Sequence, residues 1–267
     1  MSDVFGYLVA IIIGFTLGLI GGGGSILTVP ALVYILGVSP VLATAYSLFV
    51  VGMSALVGSF TYMRKGLLHY RTALVFAIPS FIAVYLTRKF IIPSIPDVII
   101  EMGDLFITKD HAVMVFFAII MLLASSSMIR KNSGRAGDDI GHEPKFNYPL
   151  IFIEGTLVGV VTGLVGAGGG FLIIPALVLL AKLPMKMAVG TSLLIIAAKS
   201  LIGFLGDIDH QPIDWSFLLF FTALAVSGIM LGSYVNRYIS AARLKVGFGW
   251  FVIIMAIGIL IKEIFTL

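Results

Sequence analysis

Residues 18–33, GLIGGGGSILTVPALV, recur 145 positions later as residues 163–178, GLVGAGGGFLIIPALV, with ten of the sixteen positions identical. The same offset, carried on without a gap, pairs Ala43 with Ala188, Ser47 with Ser192, Leu48 with Leu193, Gly58 with Gly203, Leu68 with Ile213 and Tyr70 with Trp215. Shared apolar composition does not keep Gly and Pro in register over more than fifty residues. The chain is an internal duplication, and each copy carries a glycine cluster between two apolar runs.

Those runs dominate the chain. Of 267 residues, 60% are hydrophobic and 11% charged, with a mean hydropathy of +1.13, against about 25% charged in a soluble domain. Such a composition cannot make a soluble surface, whereas helices of about 20 apolar residues cross a bilayer. Apolar spans fall at 4–20, 26–37, 40–63, 72–90 and 111–130, then at 148–166, 170–182, 185–206, 215–236 and 246–265. Spans 26–37 and 170–182 are short for a crossing, so each reads as a re-entrant hairpin or a broken helix with the span before it. The expected fold is an all-α polytopic membrane protein. It divides into a first transmembrane repeat at 1–130, a linker loop at 131–147 and a second repeat at 148–267. The stretch from Ile92 to Lys109, where Ile99, Ile100, Leu105 and Phe106 alternate with charges, reads as a segment along the membrane surface.

Cysteine is absent, which removes disulfides and thiolate metal sites from consideration. The net charge of +4 is spread over short loops, so nucleic acid is not an expected partner. The N-terminus lacks the positive flank and cleavage site of a secretory signal, and the first span is expected to persist.

The positive-inside rule puts Lys- and Arg-rich short loops in the cytoplasm. One set of alternate loops holds Arg64, Lys65, Arg71, Arg130, Lys131, Arg135, Lys145, Lys182, Lys186, Arg237, Arg243 and Lys245; the other holds Arg88, Lys89, Lys109 and Lys262. Both termini are then outside. The repeat makes residues 64–71, RKGLLHYR, equivalent to a stretch around 207–214, DIDHQPID, which carries no Lys or Arg. Equivalent loops on opposite sides mean two inverted-topology repeats of about five helical segments each, an arrangement that serves alternating access.

A helix break in hydrocarbon leaves backbone groups unpaired and belongs against protein or a water-filled cavity. The breaks at Gly21, Gly22, Gly23, Gly24 and Ser25, and at Gly166, Ala167, Gly168, Gly169 and Gly170, would aim N–H groups and a helix N-terminus at such a cavity, which suits an anion. Pro30 and Pro175 lie five residues past the clusters, which leaves open whether the following helices start at Ser25 and Gly170 or later, near Thr28 and Ile173. The competing reading is that the glycines only let helices cross closely.

Sixteen of the seventeen Lys and Arg residues fall in loops and ends; Lys199 lies inside an apolar run. A charge at that depth faces a bundle interior and marks a substrate path, unless it snorkels to the interface along its aliphatic stem. Ser192 shares a helix face with Lys199, as Ser47 does with Ser54, and Thr44, Tyr46 and Thr191 flank them. Glu154 reads as an interfacial charge, with proton binding as the alternative. His69, His111, His142 and His210 lie in or beside loops, so no metal path is expected. No His-Glu-x-x-His sequence is present, and residues 203–207, GFLGD, miss the Gly-x-Gly-Asp spacing of intramembrane aspartyl proteases by one residue.

At residues 18–25 with 30–33, their second copy, and 188–193, AVGTSL, the chain resembles the sulfite exporter TauE/SafE family, over essentially its whole length. The resemblance implies a transporter of sulfite, organosulfonates such as sulfoacetate, or related small oxyanions in a bacterial cytoplasmic membrane. The reading is thus a secondary transporter rather than an enzyme, with no cofactor. A small anion and the lipid bilayer are its expected partners; a proton as coupling ion and a homodimer stay open. The candidate site comprises the two glycine breaks with Ser25, Ser47, Thr191, Ser192 and Lys199. A metal-cation permease and an intramembrane enzyme are the alternatives.

Overall fold

With so little polar surface available, each segment must satisfy its backbone internally, and helices do so. The computed structural model describes residues 2–102, 105–129, 148–179, 183–235 and 241–265. The expected linker at 131–147 lies outside them, as do Arg130, Lys182 and Arg237. Helix α1 (Ser2–Ile20) runs into a 3-10 turn (Gly21–Leu27) and α2 (Thr28–Tyr34). Then come α3 (Pro40–Arg64), α4 (Tyr70–Leu86), a π-helical turn (Thr87–Ile91) and the short α5 (Ile92–Ser94). A hairpin of β1 (Val98–Met102) and β2 (Leu105–Thr108) precedes α6 (Lys109–Ile129). The second half holds α7 (Tyr148–Val165), α8 (Gly170–Leu179), α9 (Met185–Leu205), α10 (Trp215–Val235) and α11 (Ala241–Phe265).

The sequence spans recur as these helices, and the 145-residue offset reappears in them. Helix α3 starts at Pro40 and α9 at Met185; α4 starts at Tyr70 and α10 at Trp215. Proline suits a first helical turn because the N–H it lacks has no intrahelical partner there. Among the described residues, four apolar stretches are long enough to cross a membrane, at Pro40–Arg64, Tyr70–Ser94, Lys186–Leu205 and Trp215–Val235. The surface fits that solvent: Leu74, Ile254 and Met230 are each at least 60% exposed, whereas Ser47, Thr191, Ser192 and Lys199 are 0% exposed.

Glycines let the helices touch through their backbones. On α1, a Cβ at Gly14 would strike Ala225 O, and one at Gly18 would lie 2.6 Å from Ser233 N, so α1 and α10 run parallel. On α7, a Cβ at Gly155 would lie 2.6 Å from Phe76 O and one at Gly159 equally close to Ser80 O, which sets α7 parallel to α4. Helices α3 and α9 instead run antiparallel and meet reciprocally. A Cβ at Gly58 would lie 3.5 Å from Leu193 Cδ1, and one at Gly203, its counterpart, 3.4 Å from Leu48 Cδ1. Gly159→Ala is expected to pry α7 from α4 and lower the melting temperature in detergent. Gly258→Ala in α11, whose Cβ would meet nothing within 4 Å, is expected to leave it unchanged or raise it, since alanine is about 0.5–1 kcal/mol better than glycine inside a helix.

Two open readings are decided and one expectation changes. The chain doubles back at the first glycine cluster, because a Cβ at Gly24 would strike Leu17 N and one at Gly6 would strike Leu36 Cδ2; the α2 arm therefore returns along α1. That cluster is wound as a 3-10 turn rather than open, and α2 begins at Thr28, whereas α8 begins at Gly170 and keeps Pro175 inside it. The surface segment after Ile92 contains a β-hairpin pairing Val98 with Thr108 and Glu101 with Phe106; its strands, VIIEM and LFIT, are rich in the β-branched and aromatic residues that strands favour. Tyr34 Oη donates to Glu263 Oε1 at 2.8 Å, tying the end of the returning arm to α11.

Candidate functional site

The second glycine break holds three of the five positive-φ glycines among the described residues. Gly166, Gly168 and Gly169 have φ of +72°, +65° and +63°, a region that other L-residues enter at a cost of about 1–2 kcal/mol. Turns of this kind present successive N–H groups as a concavity for anions. Gly166 N–H is spent on Thr162 O at 2.7 Å. Helix α8 starts directly after the turn; Leu172 and Ile173 N–H donate to Gly169 O at 3.0 and 3.1 Å, so the helix start offers an anion at most the N–H groups of its first two residues. The two breaks abut, since a Cβ at Gly22 would lie 2.6 Å from Gly170 Cα. Gly168 faces Ser25 and Ile196, 3.4 Å from each by the same measure.

Lys199 reaches this turn from α9. It is fully buried, its Nζ donates to Thr162 Oγ1 at 2.9 Å, and a Cβ at Gly169 would lie 2.7 Å from Nζ. The side chain therefore crosses to α7 rather than snorkelling along α9. Neither ion pair among the described residues includes it. A buried ammonium balanced by one hydroxyl carries a penalty of several kcal/mol, which an anion at the turn would offset.

A second buried cation went unnoticed in the sequence because Arg88 sits at the end of an apolar run and reads as a loop charge. It is 0% exposed. Its Nη1 donates to Thr44 Oγ1 at 2.9 Å and lies 3.4 Å from both carboxylate oxygens of Asp207, just past the end of α9. Arg88 lies in the π-helical turn that continues α4, four residues past Val84 and eight past Ser80; that spacing, close to the helical period, was the available signal. Nε and Nη2 of Arg88 have no hydrogen-bond partner, and leaving buried donors unsatisfied costs about 1–3 kcal/mol each.

The other expected residues divide. Ser25 donates to Gly22 O at 2.7 Å and Ser192 to Val189 O at 2.8 Å, so both hydroxyls return to their own segments. Thr191 accepts the His69 N–H at 3.0 Å and so faces the turn before α4, about 12 Å along α9 from Lys199. Ser47 and Ser54 are buried with no partner for Oγ. Ala167 is buried in the turn, and Gly21 and Gly23 lie in the 3-10 segment. Glu154 is half-buried in α7.

Apolar-faced helices around buried cations and paired glycine breaks form the architecture of a polytopic membrane transporter. The chain belongs to the sulfite exporter TauE/SafE family, which it matches over residues 6–259. It is 31% identical to a "Probable membrane transporter protein" of Xylella fastidiosa (strain 9a5c), over 93% of this chain and 91% of that one. It is 29% identical to "Probable membrane transporter protein YunE" of Bacillus subtilis (strain 168), over 89% of each. No solved structure matches the chain.

Proposed function

We propose that the protein is a secondary transporter that carries a small oxyanion of sulfite or organosulfonate type by alternating access of two inverted halves. The observation that carries this reading is Lys199, an ammonium buried at a glycine turn with a threonine hydroxyl as its hydrogen-bond partner. The family's description as a sulfite exporter supports the substrate class. The reciprocal, antiparallel contact of α3 with α9, which are equivalent in the duplication, supports the inversion. In this reading the lysine-rich loops are cytoplasmic, both termini are outside the cytoplasmic membrane, and the abutting breaks hold the anion while the halves rock around it. Proteoliposomes are expected to show saturable flux of labelled sulfite or sulfoacetate that each anion inhibits for the other. Saturable cation uptake without anion flux would overturn the proposal.

A further inference from the structure

Arg88 is equipped for more than balancing Asp207. Its contacts with the carboxylate, at 3.4 Å, are longer than the about 2.7–2.9 Å of a strong charge-assisted bond. The guanidinium engages its neighbours through Nη1 alone, and Nε and Nη2 are buried without a partner. Those two atoms form one edge of the planar fork, the edge that receives two oxygens of one oxyanion side by side.

Its location links that edge to the site described above. A Cβ at Gly206 would lie 2.9 Å from Arg88 Cβ. Gly206, which caps the end of α9, is seven residues beyond Lys199, hence near the same face and about 10 Å further along the helix axis. Thr44, which accepts from Arg88, also packs against Gly166, whose Cβ would lie 2.6 Å from Thr44 O. Arg88 and Lys199 therefore stand at the two ends of the turn Gly166–Gly169. A cavity of 410 Å³ opens nearby, lined in part by Val41, Asp97, Lys109 and Gln211. Thr44 Oγ1 donates to Val41 O at 2.7 Å and Gln211 N–H to Asp207 O at 3.0 Å, so the lining is bonded directly to the residues that hold Arg88.

We propose that Arg88 is a second anion-binding residue on the substrate path, taking an oxyanion with two adjacent terminal oxygens on its Nε–Nη2 edge between the cavity and Lys199. The inference rests on the oxyanion-transport reading. Asp207 is the positioning residue: it holds Nη1 and leaves the opposite edge free. The ligand class is sulfonate, sulfite or carboxylate, whose two adjacent oxygens match the two parallel donors, where a monatomic anion such as chloride offers them one shared acceptor.

The test is sulfite and sulfoacetate flux by full-length protein in proteoliposomes. Arg88→Lys keeps the charge beside Asp207 but loses the fork, and is expected to raise KM for both anions at least tenfold, with the melting temperature close to that of the wild type. Arg88→Gln alone leaves Asp207 without its counter-ion and is expected to destabilise the protein. Arg88→Gln combined with Asp207→Asn removes both charges and is expected to recover the melting temperature without recovering flux. A purely structural ion pair predicts the opposite, a double variant that transports with wild-type KM; that result, or an Arg88→Lys KM within threefold of wild type, would overturn the assignment. Absence of sulfite and sulfoacetate flux in the wild type would instead sink the transport reading beneath it.

Discussion

Lys199→Met is expected to cut oxyanion flux by about 100-fold or more while raising the melting temperature of the purified protein. The two effects share one origin. The ammonium is fully buried, with Thr162 Oγ1 as its hydrogen-bond partner at 2.9 Å, so folding pays to strip its water without full compensation. Methionine fills nearly the same volume with no charge to desolvate, and replacing buried charges by apolar groups of similar size is neutral or stabilising by about 1–4 kcal/mol. The anion loses a charge-assisted hydrogen bond of about 1.5–3 kcal/mol, together with the field of the buried charge. Stability gained where function is lost marks a residue kept for its chemistry. Thermal unfolding in detergent and flux in proteoliposomes measure both arms. A raised melting temperature with unchanged flux would remove Lys199 from the path. Lys199→Arg should not rescue the loss, because Gly169 and Thr162 already crowd Nζ and leave no room for a guanidinium.

Helix placement was legible in the sequence because hydrocarbon permits few alternatives. The spans 40–63 and 185–206 end within a residue of α3 and α9, and the span at 215 starts where α10 does, since Pro40, Arg64 and the acidic loop before Trp215 mark where the apolar runs stop. Lys199 was legible for the same reason, as a charge with no other charged residue within seven positions on either side. Arg88 was not, because a cation near the end of such a run looks the same whether it turns inward to Asp207 or outward to water. Which hydroxyls remain free was equally hidden. Ser25, Ser192 and Thr44 bond to carbonyls three residues back, a rotamer choice that residue type does not fix, whereas Ser47, chemically the same, has no such bond. The two glycine clusters read as near-copies yet fold differently. One Ala for Gly and one Gly for Ser accompany a change from a 3-10 turn at Gly21–Leu27 to a left-handed turn at Gly166–Gly169.

Gly166→Ala is expected to be far more damaging than Gly66→Ala, and the comparison shows that conformation alone does not set the cost. Both glycines have φ near +70°, at +72° and +66°, so both substitutions incur a backbone strain of about 1–2 kcal/mol. At Gly66, in the turn after α3, the added Cβ meets nothing within 4 Å, and strain is the whole cost. At Gly166 the Cβ would strike Thr44 Cβ and lie 2.6 Å from Thr44 Cα and O. Backbone atoms inside α3 cannot swing aside as a side chain does, and overpacking adds about 1–3 kcal/mol. If the turn yields instead, Thr44 shifts and with it the hydroxyl that Arg88 holds. Gly66→Ala should therefore fold and transport with a modest loss of melting temperature, while Gly166→Ala should lose several times as much stability and nearly all flux. Equal melting temperatures and equal flux for the two variants would mean that the turn has room to spare against α3, which a site requiring close contact between the glycine turn and Thr44 does not allow.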